Sequence, residues 1–134
     1  MKKRFIVPGI ILVLISLSLV NCNKSKETQF VIQVDSIHIA DTILVTETLR
    51  IEFFGTIGNN GCYDFSHDET NFEANNISIK LWGKNSGSDN CPDVIVKLDG
   101  TYYDINFANS GTYVVDIIQP DNTKLTNTVV VEDP

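Results

Sequence analysis

From Gln29 to the C-terminus, apolar and polar residues alternate with a period of two in five separate runs. Leu49, Ile51 and Phe53 alternate with Arg50 and Glu52; Ile77, Ile79 and Leu81 with Ser78 and Lys80; Tyr103, Ile105 and Phe107 with Asp104 and Asn106. Tyr113, Val115 and Ile117 follow the same rule around Asp116, and Val129 and Val131 close the chain beside Glu132. Successive side chains of a strand point to opposite faces, so the pattern predicts strands with one face in a core and the other in water. No stretch of ten or more residues combines helical periodicity with a cap and a stop. Thr48–Phe54 is the nearest thing to a helix end, but its β-branched and aromatic content and strict alternation favour a strand.

The opening segment breaks the rule. Phe30, Ile32 and Val34 share one parity and Ile37 and Ile39 the other, with Asp35-Ser36 between, which a bulge or a change of sheet would reconcile. Asp99-Gly100 separates Val94–Leu98 from Thr101–Phe107 and predicts a type I′ hairpin, since both residues accept positive φ. Pro120-Asp121-Asn122 predicts a turn that returns Thr112–Ile118 onto Leu125–Val131. Asn59-Asn60-Gly61 and Ser86-Gly87-Ser88-Asp89-Asn90 read as longer loops, each just before a cysteine. About seven or eight short antiparallel strands at this spacing predict an all-β, two-sheet sandwich over 29–134, with immunoglobulin-like topology the leading candidate. An antibody-type domain is excluded: there the cysteines lie in facing strands far apart in sequence, whereas Cys62 and Cys91 are close and flank loops.

The first 28 residues are of another kind. Met1-Lys2-Lys3-Arg4 is positive, Phe5 to Val20 is apolar apart from Pro8, Gly9 and two serines, and Asn21-Cys22 closes the run before the polar Asn23-Lys24-Ser25-Lys26-Glu27. About 16 apolar residues are short for a spanning helix, which needs about 20, and the pattern is that of a secretory signal. Leu19-Val20-Asn21-Cys22 resembles the lipobox of bacterial lipoproteins, with Asn21 where a small residue is usual. The resemblance implies a signal peptide over 1–21, lipidation of Cys22, a tether over 22–28 and a membrane-anchored domain facing the periplasm or cell exterior. An uncleaved anchor with Cys22 as an ordinary thiol is the alternative. Gly111-Thr112-Tyr113-Val114-Val115-Asp116 followed by Gln119-Pro120-Asp121 resembles the last hairpin of Ig-like modules in small bacterial lipoproteins, many of unknown function; it covers roughly the last 25 residues.

Loss of Lys2, Lys3 and Arg4 lowers the basic count from 10 to 7 against 17 acids, a net charge of −10. That disfavours nucleic acid, whose phosphates need a basic footprint, and favours solubility. With Cys22 assigned to lipid, Cys62 and Cys91 are an even pair in an exported chain, where disulfides persist, and a bridge between them is expected. A metal or redox pair is the alternative, but no second Cys or His stands at ligand spacing beside either one.

Candidate chemistry is sparse. His67-Asp68-Glu69, with Asp64 nearby, is the one cluster with ligands enough for a metal or acid–base pair; in an extended chain only His67 and Glu69 could converge, so a solvated polar loop is the default. His38 should face solvent. No serine sits in a nucleophile elbow, no glycine loop suits a phosphate, and neither an enzyme nor a cofactor is expected. Phe54, Trp82 and Tyr102 fall on the parity opposite to the core residues of their strands, and Tyr63 adjoins the Cys62 loop, so these rings are candidate contacts for a protein or glycan, unless they are packed at edges. The expectation is a lipid-anchored binding or accessory module presenting loops 55–62 and 83–91. The alternatives are an inhibitor of exported proteases, on fold-level analogy, and a small metal-dependent hydrolase at His67–Glu69.

Overall fold

The computed structural model describes residues 26–134. The expected signal peptide, Cys22 and the first part of the tether lie outside them. Among the described residues there are eleven strands and no helix, so the domain is all-β: β1 (Thr28–Val31), β2 (Ser36–His38), β3 (Thr42–Leu44), β4 (Thr48–Phe54), β5 (Thr56–Gly58), β6 (Tyr63–Glu73), β7 (Asn76–Asn85), β8 (Val96–Lys97), β9 (Tyr102–Asn106), β10 (Gly111–Ile118) and β11 (Lys124–Glu132).

β7 organises the larger sheet. β6 runs along one side of it, while β1 and β10 share the other, β1 opposite Trp82–Asn85 and β10 opposite Asn76–Ile79. β11 pairs with β10, and β3 with β11. In the smaller sheet β4 lies between β2 and β9, and β5 continues β4 to pair with β8. Both sheets feed one buried cluster, in which Ile51, Ile79, Leu98, Val115, Ile117 and Val129 are all 0 % exposed. The alternating residues meet there because each sheet has one apolar face, and burying the two faces against each other removes both from water.

Two pairings, β7 with β10 and β3 with β11, are parallel, and the strands number eleven, which corrects the expectation of seven or eight antiparallel ones. Alternation reports which face is buried and is blind to strand direction, so it could not have separated these arrangements.

The parity break after Phe30 is a change of sheet. Ile32 N–H still donates to Leu81 O of β7, but Asp35 N–H donates to Phe54 O of β4, both at 2.9 Å. Val34 lies in the crossing, buried, and its N–H and C=O find no backbone partner in either sheet. The Gln119 side chain takes the place of a strand there: its Oε1 accepts from Val34 N–H at 3.0 Å and its Nε2 donates to Val34 O at 3.2 Å. Buried backbone groups must be paired, and a carboxamide offers the same acceptor and donor as a peptide.

Asp99-Gly100 makes a turn but not the expected hairpin. Thr101 N–H donates to Leu98 O at 2.7 Å, and of the two residues only Gly100 has positive φ, +92°, which is the signature of type II rather than type I′. β8 and β9 do not pair with each other; both lie antiparallel along the continuous β4–β5 segment. Leu98 N–H donates to Gly55 O while Thr101 O accepts from Phe53 N–H, so the turn is bulged out of a long strand. The Pro120-Asp121-Asn122 turn forms as expected: β10 and β11 pair over their length, and Asn122 takes φ +64° in the hairpin loop.

The largest correction concerns His67-Asp68-Glu69, expected in a loop but placed within β6, the longest strand. A bulge at Ser66, between the pairs Phe65 with Gly83 and His67 with Trp82, hides the strand from its alternation pattern. It sends Tyr63 and Phe65 to one face and His67 and Glu69 to the other, so no single parity runs through the strand.

Candidate functional site

Cys62 and Cys91 are disulfide-bonded, with Cα atoms 5.2 Å apart. The bridge joins the 59–62 turn to the 86–95 segment; the rest of the expected loops 55–62 and 83–91 is largely strand, belonging to β5 and β7. Backbone bonds reinforce the bridge: Gly61 N–H donates to Pro92 O at 2.8 Å and Ser86 N–H to Cys62 O at 3.0 Å. Asn60 Oδ1 accepts from Cys62 N–H. No residue from 84 to 95 is buried, so this end depends on covalent and polar ties in place of a core. Val94 and Ile95 stand 52 % and 62 % exposed just beyond the bridge. An open hollow of about 480 Å³ lies under it, lined by Glu27, Cys62, Tyr63, Asp64, Lys84 and Val96 among others.

The four candidate aromatic residues do not share a surface. Tyr63 packs on the inner side, its Cβ and ring against Gly58 and its ring edge-on to Phe30 at 5.7 Å. Trp82 lies on the outer face of the larger sheet and is only partly exposed. The His67 ring stacks on it at 6.0 Å and 11°, Lys80 Nζ stands 5.8 Å from the ring, and its Nε1 donates to Glu69 Oε2 at 3.1 Å. His67 and Glu69 therefore converge, but on Trp82. Among the described residues no three His, Cys, Asp or Glu side chains are placed to hold a metal.

Phe54 and Tyr102 are 37 % and 54 % exposed on the outer face of the smaller sheet, on the opposite side of the domain from Trp82. Cross-strand register sets this face: Thr48 opposite Asn106, Arg50 opposite Asp104, Glu52 between Tyr102 and His38, and Phe54 opposite Ser36. Arg50 and Asp104 form a two-pronged pair, Nε to Oδ1 at 2.9 Å and an Nη to Oδ2 at 2.8 Å. The guanidinium also lies 4.0 Å from the centre of the Tyr102 ring. Hydrogen bonding from Arg50 holds the Asp104 carboxyl below the usual carboxylate range, and the same bond raises the Arg50 guanidinium. His38 Nδ1 approaches Glu52 Oε2 at 3.3 Å on the exposed side of the sheet, with Ser36 and Phe54 the next pair along the register. The face is thus ordered by its own side chains while its aromatic surface stays open.

Asp116 was expected on a solvent face but is 4 % exposed. Lys124 Nζ and Thr126 Oγ1, from the facing strand β11, reach its carboxylate at 2.8 and 2.6 Å and cover it. Burial opposes its ionisation, but the bonds from Lys124 and Thr126, with the charge of Lys124 and a bond from Asn76, together hold the carboxyl below its ordinary value. Gln119 was not foreseen either; its position after a β-branched run gave no sign that a crossing segment would need it.

No protein-family model matches the chain, and neither a curated protein nor a solved structure is significantly similar to it.

Proposed function

We propose that this chain is an immunoglobulin-like β-sandwich module, held at a bacterial membrane through lipid on Cys22, that binds a protein partner with the outer face of β2, β4 and β9. The observation that carries the reading is the exposed Tyr102 against the fixed Arg50–Asp104 fork, with the exposed Phe54 farther along the same face of β4. Aromatic residues and arginine are enriched where proteins meet, and side chains already ordered lose less freedom on binding. The lipid anchor rests on the sequence of the leader, and an extracytoplasmic location agrees with a disulfide in the domain. The two sheets around one core agree with a sandwich; the parallel pairings of β3 and β10 mark its departure from the simplest antiparallel plan.

A photo-crosslinking residue placed at Tyr102 in the native envelope tests the reading, with the exposed Asn71 as the reference position. A discrete cross-linked protein is expected at Tyr102 and not at Asn71, lost on Phe54→Ser or Arg50→Ala while the melting temperature stays the same. Equal labelling at both positions, or retention on envelope glycan with no protein adduct, would sink the protein-binding assignment.

A further inference from the structure

The described chain begins at the stapled end of the domain. Thr28 pairs with Asn85, the last residue of β7, and the Lys26 backbone passes over Gly87. A side chain on Gly87 would come within 2.7 Å of Lys26 O, and Gly87 takes φ +67°, so glycine is what lets the entering chain lie there. Glu27 lines the same hollow as Cys62, Ser86 and Val96.

Cys22 precedes Lys26 by four residues, a span of at most about 14 Å at ~3.5 Å per residue. A lipid there can be no farther than that from the end of the domain which carries the disulfide. Beyond the last β5–β8 pair, Gly58 with Val96, the chain continues outward through Ile95 and Val94, the two most exposed aliphatic side chains of this end. Between the disulfide and β8 they sit on backbone that is tied down: Gly61 N–H holds Pro92 O, and Val94 N–H itself donates to Pro92 O at 3.0 Å.

Resting on the lipid-anchor reading above, we infer that Val94 and Ile95 insert into the membrane–water interface, so that the stapled end faces the bilayer and the domain stands with β4 and β7 rising from it. One acyl-type anchor restrains position but leaves a domain free to tumble about its tether, whereas two aliphatic side chains on a rigid loop beside the anchor add a second point of contact. The charge around the loop, with Glu27, Asp64, Asp89 and Asp93 against Lys26, Lys84 and Lys97, gives no net basic attraction to anionic headgroups. The contact is therefore apolar, and indifferent to the anionic lipid content. It also explains why the loop with the greatest aliphatic exposure has a covalent brace: a hydrophobic tip must stay extended rather than fold back on the domain.

The test uses the full-length lipidated protein in vesicles of phosphatidylethanolamine and phosphatidylglycerol whose acyl chains carry bromine, a contact quencher of tryptophan. In a Trp82→Phe background, single tryptophans are introduced by Val94→Trp, Ile95→Trp and, as the reference, Phe72→Trp. Phe72 pairs with Ile77 of β7, about 26 Å along the strand from Asn85 at ~3.3 Å per residue. Loss of most of the fluorescence at positions 94 and 95, with little at 72, is expected, unchanged when phosphatidylglycerol is omitted. Quenching at 72 equal to that at 94 and 95, or none at either, overturns the insertion. Mass measurement of the same protein separates the two claims: an unacylated Cys22 overturns the anchor together with the insertion, whereas an acylated Cys22 with an unquenched loop overturns the insertion alone.

Discussion

The slab made by β7, β10 and β11 and the segment from residue 86 to 95 are held in place by different means. In the slab, Ile77, Ile79, Val115, Ile117, Val129 and their neighbours are almost completely removed from water, and packing does the holding. The 86–95 segment buries no residue; a disulfide, two backbone bonds to the 59–62 turn and the bonds of Asn85 and Ser88 to this loop take over. A small β domain can thus carry an uncored extension if cross-links replace the missing apolar area, and such an extension can display aliphatic residues outward. The polar exceptions inside the slab, Gln119 and Asp116, follow the complementary rule that each buried polar atom finds a partner: no side-chain nitrogen or oxygen buried among the described residues is left without one.

The largest loss of stability is expected from the core. Phe53→Ala should lower unfolding free energy by about 3–5 kcal/mol in chemical denaturation, because Phe53 is 1 % exposed and sits where the two sheets pack together. Replacement of both Cys62 and Cys91 by serine should cost about 3–4 kcal/mol; the β7 and β10 amides should exchange faster to match yet stay the last to exchange, while the 86–95 amides lose protection beyond that. Uniform acceleration would show that the two regions are one cooperative unit.

Gln119→Leu keeps the size of the side chain but strands the N–H and C=O of Val34, for an expected loss of roughly 2 kcal/mol. A neutral result would mean that water reaches the crossing between the sheets. Asp116→Asn should cost about 1–2 kcal/mol at neutral pH, the scale of a hydrogen bond to a charged group. The sign of its pH dependence follows from the lowered carboxyl: the folded state holds the proton less tightly than the unfolded chain, whose aspartate titrates near ~3.9, so its stabilising contribution is complete above that value and fades as the pH falls through it toward the lower folded value. The carboxamide of the variant does not titrate, so stability curves of wild type and Asp116→Asn should converge on acidification; parallel curves would remove Asp116 from the account.

Much of the fold could be read from residue pattern alone. The five alternating runs became β4, β7, β9, β10 and β11, the parity break after Phe30 became the passage from one sheet to the other, and the pair Cys62 and Cys91 became the bridge. These are local facts: alternation fixes which face is buried, and two thiols within one small domain have one natural partner each. The candidate site was less legible. That Tyr102 lies beside Arg50 while Trp82 lies on the far side depends on which strands are neighbours, and alternation within one strand says nothing of the next.

What the amino-acid order determined by itself is the class of structure and its covalent frame, because burial of apolar faces and thiol pairing are properties each segment carries with it. Only the tertiary structure decided strand direction, the bulges at Ser66 and Asp99-Gly100, the conversion of Gln119 into a substitute strand, and the meeting of the entering chain with the stapled loop. Each of those depends on hydrogen-bond partners supplied by residues distant in sequence, and no local pattern encodes a partner that another segment brings.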